Sequence, residues 1–275
     1  MHFHFPFTAF AILWTLTFAG HLVLLVVLLG RDRAGRFPFF TANIVLVAFR
    51  LLTSWMLVNS LPQMAMMELV IVTADIAAVL GLLVVLELAR RAFGGIRRGA
   101  WIAGTLAVMA IGALVLKFWG SWPAWKAITS GSTLQLAQLI AQKGSLLVDV
   151  ETIVVGLLIV LFGYRQRGGW RTHTQRIAIG LSTASIAELG VQAIWQAVAR
   201  SAAPHSMAEY NQVVQFHERL FNANSAIYVL VLIWWIVCLW KDEPGAPRAT
   251  PETALAAPAE EPPQSEADES IANPE

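Results

Sequence analysis

MMELVIVTADIAAVLGLLVVLELARR, residues 66–91, decides the fold. Between Glu68 and Glu87 it holds one ionisable side chain, Asp75. A helix rising 1.5 Å per residue crosses a hydrocarbon core of about 30 Å in about 20 residues. Working outward, six more apolar runs of that kind lie near 7–30, 37–60, 100–119, 133–164, 174–199 and 207–240. The whole chain is 57% hydrophobic and only 13% charged. A soluble domain carries about 25% charged residues, so too little polar surface remains to cover a soluble body. The expected fold is an all-α, polytopic bundle of seven transmembrane helices. The early turns of the fifth and seventh runs, Thr133 to Lys143 and Met207 to Arg219, are polar on one face and are expected to project from the bilayer.

Charge divides the chain into two parts. Residues 242–275 carry nine acids and one base, net −8, which leaves +9 on residues 1–241. The expected domains are therefore a seven-helix transmembrane domain, 1–241, and a disordered acidic tail rich in Pro, Ala and Glu, 242–275. Such a tail lacks the apolar content to form a core. Thirteen of the 19 Lys and Arg fall in alternate loops and the start of the tail, four on the other side, and Arg50 and Lys117 within spans. Basic loops stay in the cytoplasm, so the N-terminus is expected outside and the C-terminus inside. Trp101, Trp170 and Trp240 then mark the cytoplasmic interface, and Trp119, Trp122, Trp125 and Trp195 the outer one. No basic n-region precedes the first run, which reads as a retained helix rather than a signal peptide. The expected location is the inner (cytoplasmic) membrane of a bacterium.

Ionisable groups inside a bilayer are costly, about 2.5–3.5 kcal/mol each on insertion scales, and usually face the bundle interior. Arg50, Asp75 and Glu188 lie roughly 14–16 Å from the outer ends of their helices by residue count. An Arg50–Asp75 ion pair across the second and third helices is easy to form, and serves either as packing glue or as part of a site. Glu188 joins that layer if the sixth helix crosses the bundle. Spacings of three, four and seven place polar residues on stripes. The stripes are Asn43, Arg50 and Ser54; Glu68 and Asp75; Ser145, Asp149 and Thr152; Ser185, Glu188 and Gln192; and Asn211, Gln215, Glu218, Asn222 and Ser225. Asp149 and Glu151 are expected nearer the outer interface and hydrated. The candidate ligand-binding or switch network is Arg50, Asp75, Glu188, Gln192 and Asp149. Gly180, Ala184 and Ala187 suit close helix packing.

Other chemistries lack their residues. One cysteine, Cys238, allows neither a disulfide nor a Cys-based metal site. The last span has no lysine for a retinal Schiff base, and His21 reads as a packed core histidine rather than a haem ligand. No nucleophile elbow, H-E-x-x-H or P-loop occurs. The expectation is a protein with no catalytic residues, cofactor or metal. Basic loops are explained by topology and anionic lipid, with no nucleic acid as partner.

GGWRTHTQRIAIGLSTASIAELGVQAIW, Gly168 to Trp195, and LLGRDRAGRFPFFTANIVLVAFR, Leu28 to Arg50, resemble segments of uncharacterised seven-transmembrane-helix proteins of Acidobacteria. The layout is also similar to seven-helix sensory regions that precede bacterial kinase or cyclase domains, although this chain is expected to carry no effector domain of its own. The resembled family lends no activity; the expected function is a sensor-like or accessory membrane protein. It would bind a ligand or membrane partner through a polar interior and signal to a membrane or cytoplasmic effector. The alternatives are a small transporter or proton-coupled carrier, and a structural subunit of a membrane complex. A reporter enzyme fused after Lys241 is expected to read cytoplasmic in a topology assay; activity on the outer face reverses the whole orientation.

Overall fold

The computed structural model describes residues 8–57, 60–93, 98–119, 122–123, 132–163, 172–201 and 206–242. Seven α-helices fill them: α1 Ala9–Gly30, α2 Pro38–Leu57, α3 Gln63–Ala92, α4 Arg98–Phe118, α5 Thr133–Gly163, α6 His173–Ser201 and α7 Met207–Trp240. Each is long and apolar enough to cross a membrane. The protein is an all-α, multi-pass integral membrane protein. The acidic tail beyond Asp242, and the loops holding Trp125 and Trp170, lie outside the described residues.

Local chemistry explains where the later helices begin. Ser132 and Gln135 form a reciprocal capping box: the Ser132 N–H donates to Gln135 Oε1 at 3.2 Å, and the Gln135 N–H to Ser132 Oγ at 3.3 Å. Thr172 accepts from the Gln175 N–H at 3.4 Å, and Ser206 from the Glu209 N–H at 3.2 Å. All three starts have the Ser/Thr-x-x-Glu/Gln pattern that satisfies orphan N–H groups. Thr8 caps α1 in the same way. The α1–α2 turn passes through Asp32 at φ 53°, a left-handed conformation that Asp tolerates better than most residues.

Six helices close a ring in the order α1, α2, α3, α5, α6, α7 and back to α1, while α4 lies outside it, packed on α5. The apolar core sits at one end of this ring. It comprises Leu24 and Leu28 of α1, Phe40 and Ile44 of α2, Val84 and Leu88 of α3, Ile159 of α5, Ile177 of α6, and Leu232, Trp235 and Leu239 of α7. Large apolar side chains such as Val26, Leu29, Leu106, Phe118, Leu161 and Leu230 remain exposed on the outside, the surface that hydrocarbon would cover.

Two polar devices brace the sealed end. Glu87 on α3 is 8% exposed and accepts from the Phe40 N–H of α2 at 3.1 Å. That amide is one of the unpaired donors at the start of α2, where the helix dipole favours a negative charge. Arg91 approaches the same carboxylate at 3.8 Å and lies over the Phe37 ring. At the same end Asp242 accepts from Arg33 at 3.1 Å, tying the end of α7 to the turn after α1. Asp242 is mostly exposed, so that pair contributes little stability.

Small residues let the helices approach. A Cβ added at Gly156 of α5 would collide with Ser182 Oγ of α6, and one at Gly180 of α6 with the Trp235 indole of α7. Gly190 has no neighbour within 4 Å. Gly156→Ala and Gly180→Ala are each expected to destabilise the folded protein by about 1–3 kcal/mol through overpacking. Gly190→Ala should be neutral or stabilising by up to about 1 kcal/mol. Thermal unfolding of the three variants in lipid nanodiscs measures the contrast; equal midpoints remove close packing as the reason for the glycines.

Candidate functional site

Between the middle of the ring and the end where α1 and α3 begin lies a cavity of ≈ 780 Å³. Every ring helix contributes to its wall: Thr17 and Trp14 from α1, Asn43 and Ser54 from α2, Gly81 from α3, Asp149 and Thr152 from α5, Ser185 and Glu188 from α6, and Asn224 and Tyr228 from α7. The cavity therefore lies on the unsealed side of the apolar core. Its polar groups concentrate on α5, α6 and α7, and its aromatic groups on α1, α2 and α7.

The polar wall is stitched across helix seams. Ser185 Oγ donates to Asp149 Oδ1 at 2.8 Å, joining α6 to α5. One turn away, Ser182 Oγ donates to the Thr152 carbonyl at 3.1 Å. Asn224 Nδ2 of α7 donates to Glu188 Oε2 at 2.5 Å, and Gln192 Nε2 donates to Glu188 Oε1 at 3.1 Å. Both carboxylates are thus held by neutral donors. Three residues separate Ser185 from Glu188, about 4.5 Å of helix rise, so the two acids occupy neighbouring levels of the same wall.

The aromatic wall is equally ordered. Trp14 of α1 stacks on Trp55 of α2, with ring centroids 4.7 Å apart. Phe10 of α1 meets Phe221 of α7 at 6.3 Å. Below them His21 is fully buried. Its Nδ1 pairs with the Thr17 carbonyl at 2.7 Å and its Nε2 with the Tyr228 hydroxyl at 3.0 Å. A neutral imidazole satisfies both, with Nδ1–H donating to the carbonyl and Nε2 accepting from the phenol. His21 is a packed core histidine that joins α1 to α7.

The sequence-derived network is only partly assembled. Glu188, Gln192 and Asp149 come together on the α5–α6–α7 wall. Arg50 and Asp75 do not join them, and no ion pair links Arg50 to Asp75 among the described residues. Asp75 keeps one buried carboxylate oxygen, Oδ1, without a hydrogen-bond partner. Neither residue lines the cavity, although Asn43 and Ser54 on the stripe that includes Arg50 do. Equal depth puts these charges in one layer, but Asp75 lies two residues off the cavity-lining Ala77 on α3, and Arg50 stays out of the lining although it shares a stripe with Asn43 and Ser54. Glu151, expected to be hydrated, is 4% exposed and packs toward Gly112 of α4. It lies two residues from Asp149, hence on another face of α5.

Asn224 is the site residue that the polar stripe on α7 passed over. The stripe that faces inward is Phe221, Asn224, Ser225 and Tyr228, whose members all line the cavity. Its mixture of aromatic and polar side chains hides it from a count of polar residues alone; the spacing of three and four from Phe221 is the signal available. Among the described residues no group of three or more His, Cys, Asp or Glu could hold a metal ion.

No family model matches the chain, and no significant match appears among curated proteins or solved structures. The likeness of Leu28–Arg50 and Gly168–Trp195 to the acidobacterial seven-helix proteins therefore stands as a resemblance without an identified family.

Arg50→Ala and Asp75→Asn are expected to lower folded yield independently, adding to within about 0.5 kcal/mol in a double-mutant cycle. Asp149→Ala and Ser185→Ala should depart from additivity, because each removes one end of the same hydrogen bond. Coupling between Arg50 and Asp75 in that cycle restores the ion pair as a structural element.

Proposed function

We propose that this protein is a ligand-binding membrane protein, sensor-like or accessory to a signalling partner, rather than an enzyme. The carrying observation is the cavity of ≈ 780 Å³ inside the six-helix ring, walled by Asp149, Glu188 and Asn224 and backed by a dry apolar core. Ligand pockets commonly have volumes of about 300–1,000 Å³, with a few placed polar groups on an apolar lining. The distribution of basic loops supports a cytoplasmic membrane location with the N-terminus outside. The cavity would then open outward, with the sealed end facing the cytoplasm.

In this reading, occupation of the cavity changes how α5, α6 and α7 pack through the Asp149–Ser185 and Glu188–Asn224 bonds. Signalling requires that the ligand bind two arrangements of those helices unequally. The basic cytoplasmic loops would present the change to a membrane or cytoplasmic effector.

A carrier is the second reading, favoured by the composition of the ring. Two groups of three consecutive helices, α1–α3 and α5–α7, surround the cavity, and α4 connects them from outside. In many carriers two such halves rock about a site held between them.

Single-cysteine accessibility tests both. With Cys238→Ser as background, Ala184→Cys places a thiol on the cavity wall. A membrane-impermeant thiol reagent is expected to label it from the outer face only. Labelling from both faces replaces the sensor by the carrier, and protection from both faces removes the ligand-binding reading.

A further inference from the structure

The cavity has an acidic wall and an aromatic wall, and its lining contains no lysine or arginine. Asp149 and Glu188 receive hydrogen bonds from Ser185, Gln192 and Asn224, all neutral. Arg50 lies near the same stripe of α2 but outside the lining, and it makes no ion pair with either acid among the described residues. Asp149 and Glu188 are each partly exposed along this wall, and a carboxylate favours an opposite charge placed beside it. The protein supplies the hydrogen bonds and leaves the charge to what enters.

The other wall selects among cations. Trp14 stacks on Trp55 at 4.7 Å and on Phe18 at 5.6 Å, and both indoles line the cavity, Trp55 from a half-exposed position. Indole faces attract organic ammonium groups, with about 0.5–1 kcal/mol at exposed sites and about 2 kcal/mol when desolvated. A hard metal ion instead requires six or more oxygen ligands. Here the acids stand beside amides, a hydroxyl and large apolar rings, and the volume exceeds that of one ion many times over. An anion would meet two carboxylates, and a neutral ligand would leave both without a counter-charge.

We infer that the cavity is a binding site for an organic cation, an ammonium group carried on a flat apolar body, seated between Asp149 and Glu188 on one side and Trp14 and Trp55 on the other. This rests on the ligand-binding reading above and adds the chemical class of the ligand. The ammonium replaces the missing positive charge, and the body fills the space beside the indoles.

The test uses the full chain in lipid nanodiscs and three probes of one shape: phenyltrimethylammonium, its neutral carbon isostere tert-butylbenzene, and benzenesulfonate. Binding is read from tryptophan emission and calorimetry against empty nanodiscs. Phenyltrimethylammonium is expected to bind saturably and the other two not to compete. Glu188→Gln and Asp149→Asn should each weaken binding about tenfold, while Glu188→Asp, which keeps the charge, retains most of it. Trp14→Leu should weaken binding and Trp14→Phe preserve it. Equal competition by tert-butylbenzene overturns the cation class and leaves a ligand site for neutral molecules. Binding that is indifferent to both acid variants places the cation elsewhere and also overturns the inference. If no probe binds while the Ala184→Cys thiol remains labelled from outside, the cation class fails and the ligand-binding reading survives. If that thiol is unreactive from both faces, the underlying reading fails with it.

Discussion

Closure of the ring by α1 against α7 is the contact on which the interior depends. Five of the six ring seams alone would leave a trough open to lipid. The sixth seam is largely apolar, with a polar fastening inside it. His21 bridges the Thr17 carbonyl and the Tyr228 hydroxyl, and Gly20 allows Leu232 to approach its helix. In hydrocarbon no water competes for an imidazole or a phenol, so a pair that would be modest in water holds its geometry. Asp242, reaching back to Arg33, brings the end of α7 to the same place.

The closed ring then divides along its length. One end is filled by branched and aromatic side chains, with Phe40 set edge-on to Trp235 at 5.2 Å. Glu87 sits within that end without disrupting it, because the first turn of α2 presents an unpaired N–H where the carboxylate lies. Toward the other end, Gly81, Ala77 and Ala184 line the cavity, and Gly81 lets α3 pack closely on Val148 of α5. The cavity's charge asymmetry follows from which helices supply acids: α5 and α6 do, whereas α1 and α2 supply indoles. The same physical distinction separates Glu87, a carboxylate answered by a helix terminus and Arg91, from Asp149 and Glu188, which are answered only by neutral dipoles.

Much of this was legible in the residues. The seven spans follow from length and hydropathy, and the starts at Thr133 and Met207 coincide with the helices found. The Ser185–Glu188–Gln192 stripe reads directly as one face of α6, and its members act together in the structure. The Arg50–Asp75 pair was the natural inference from depth and hairpin connection, and the described residues do not contain it. Depth is a linear count, but meeting requires rotation about two helix axes, and a single residue of phase turns a side chain by about 100°. On α7 the expected polar stripe meets the inward one at Ser225 only, and Asn224 lies one residue from it on the cavity-lining face.

By itself the sequence determined that this chain is a multi-pass membrane protein with seven helices long and apolar enough to span, because each such helix satisfies its own backbone in hydrocarbon. It also determined the charge asymmetry of the loops and the contrast between body and tail. Only the tertiary structure decided that α4 stands outside the ring, that Asp149 and Glu188 share a wall with Asn224, and that Trp14 and Trp55 face the same cavity. Those outcomes depend on which helix faces meet. Hydrocarbon treats every apolar face alike, so the choice is made by small residues, shape and a few interhelical hydrogen bonds, none of which one helix records alone.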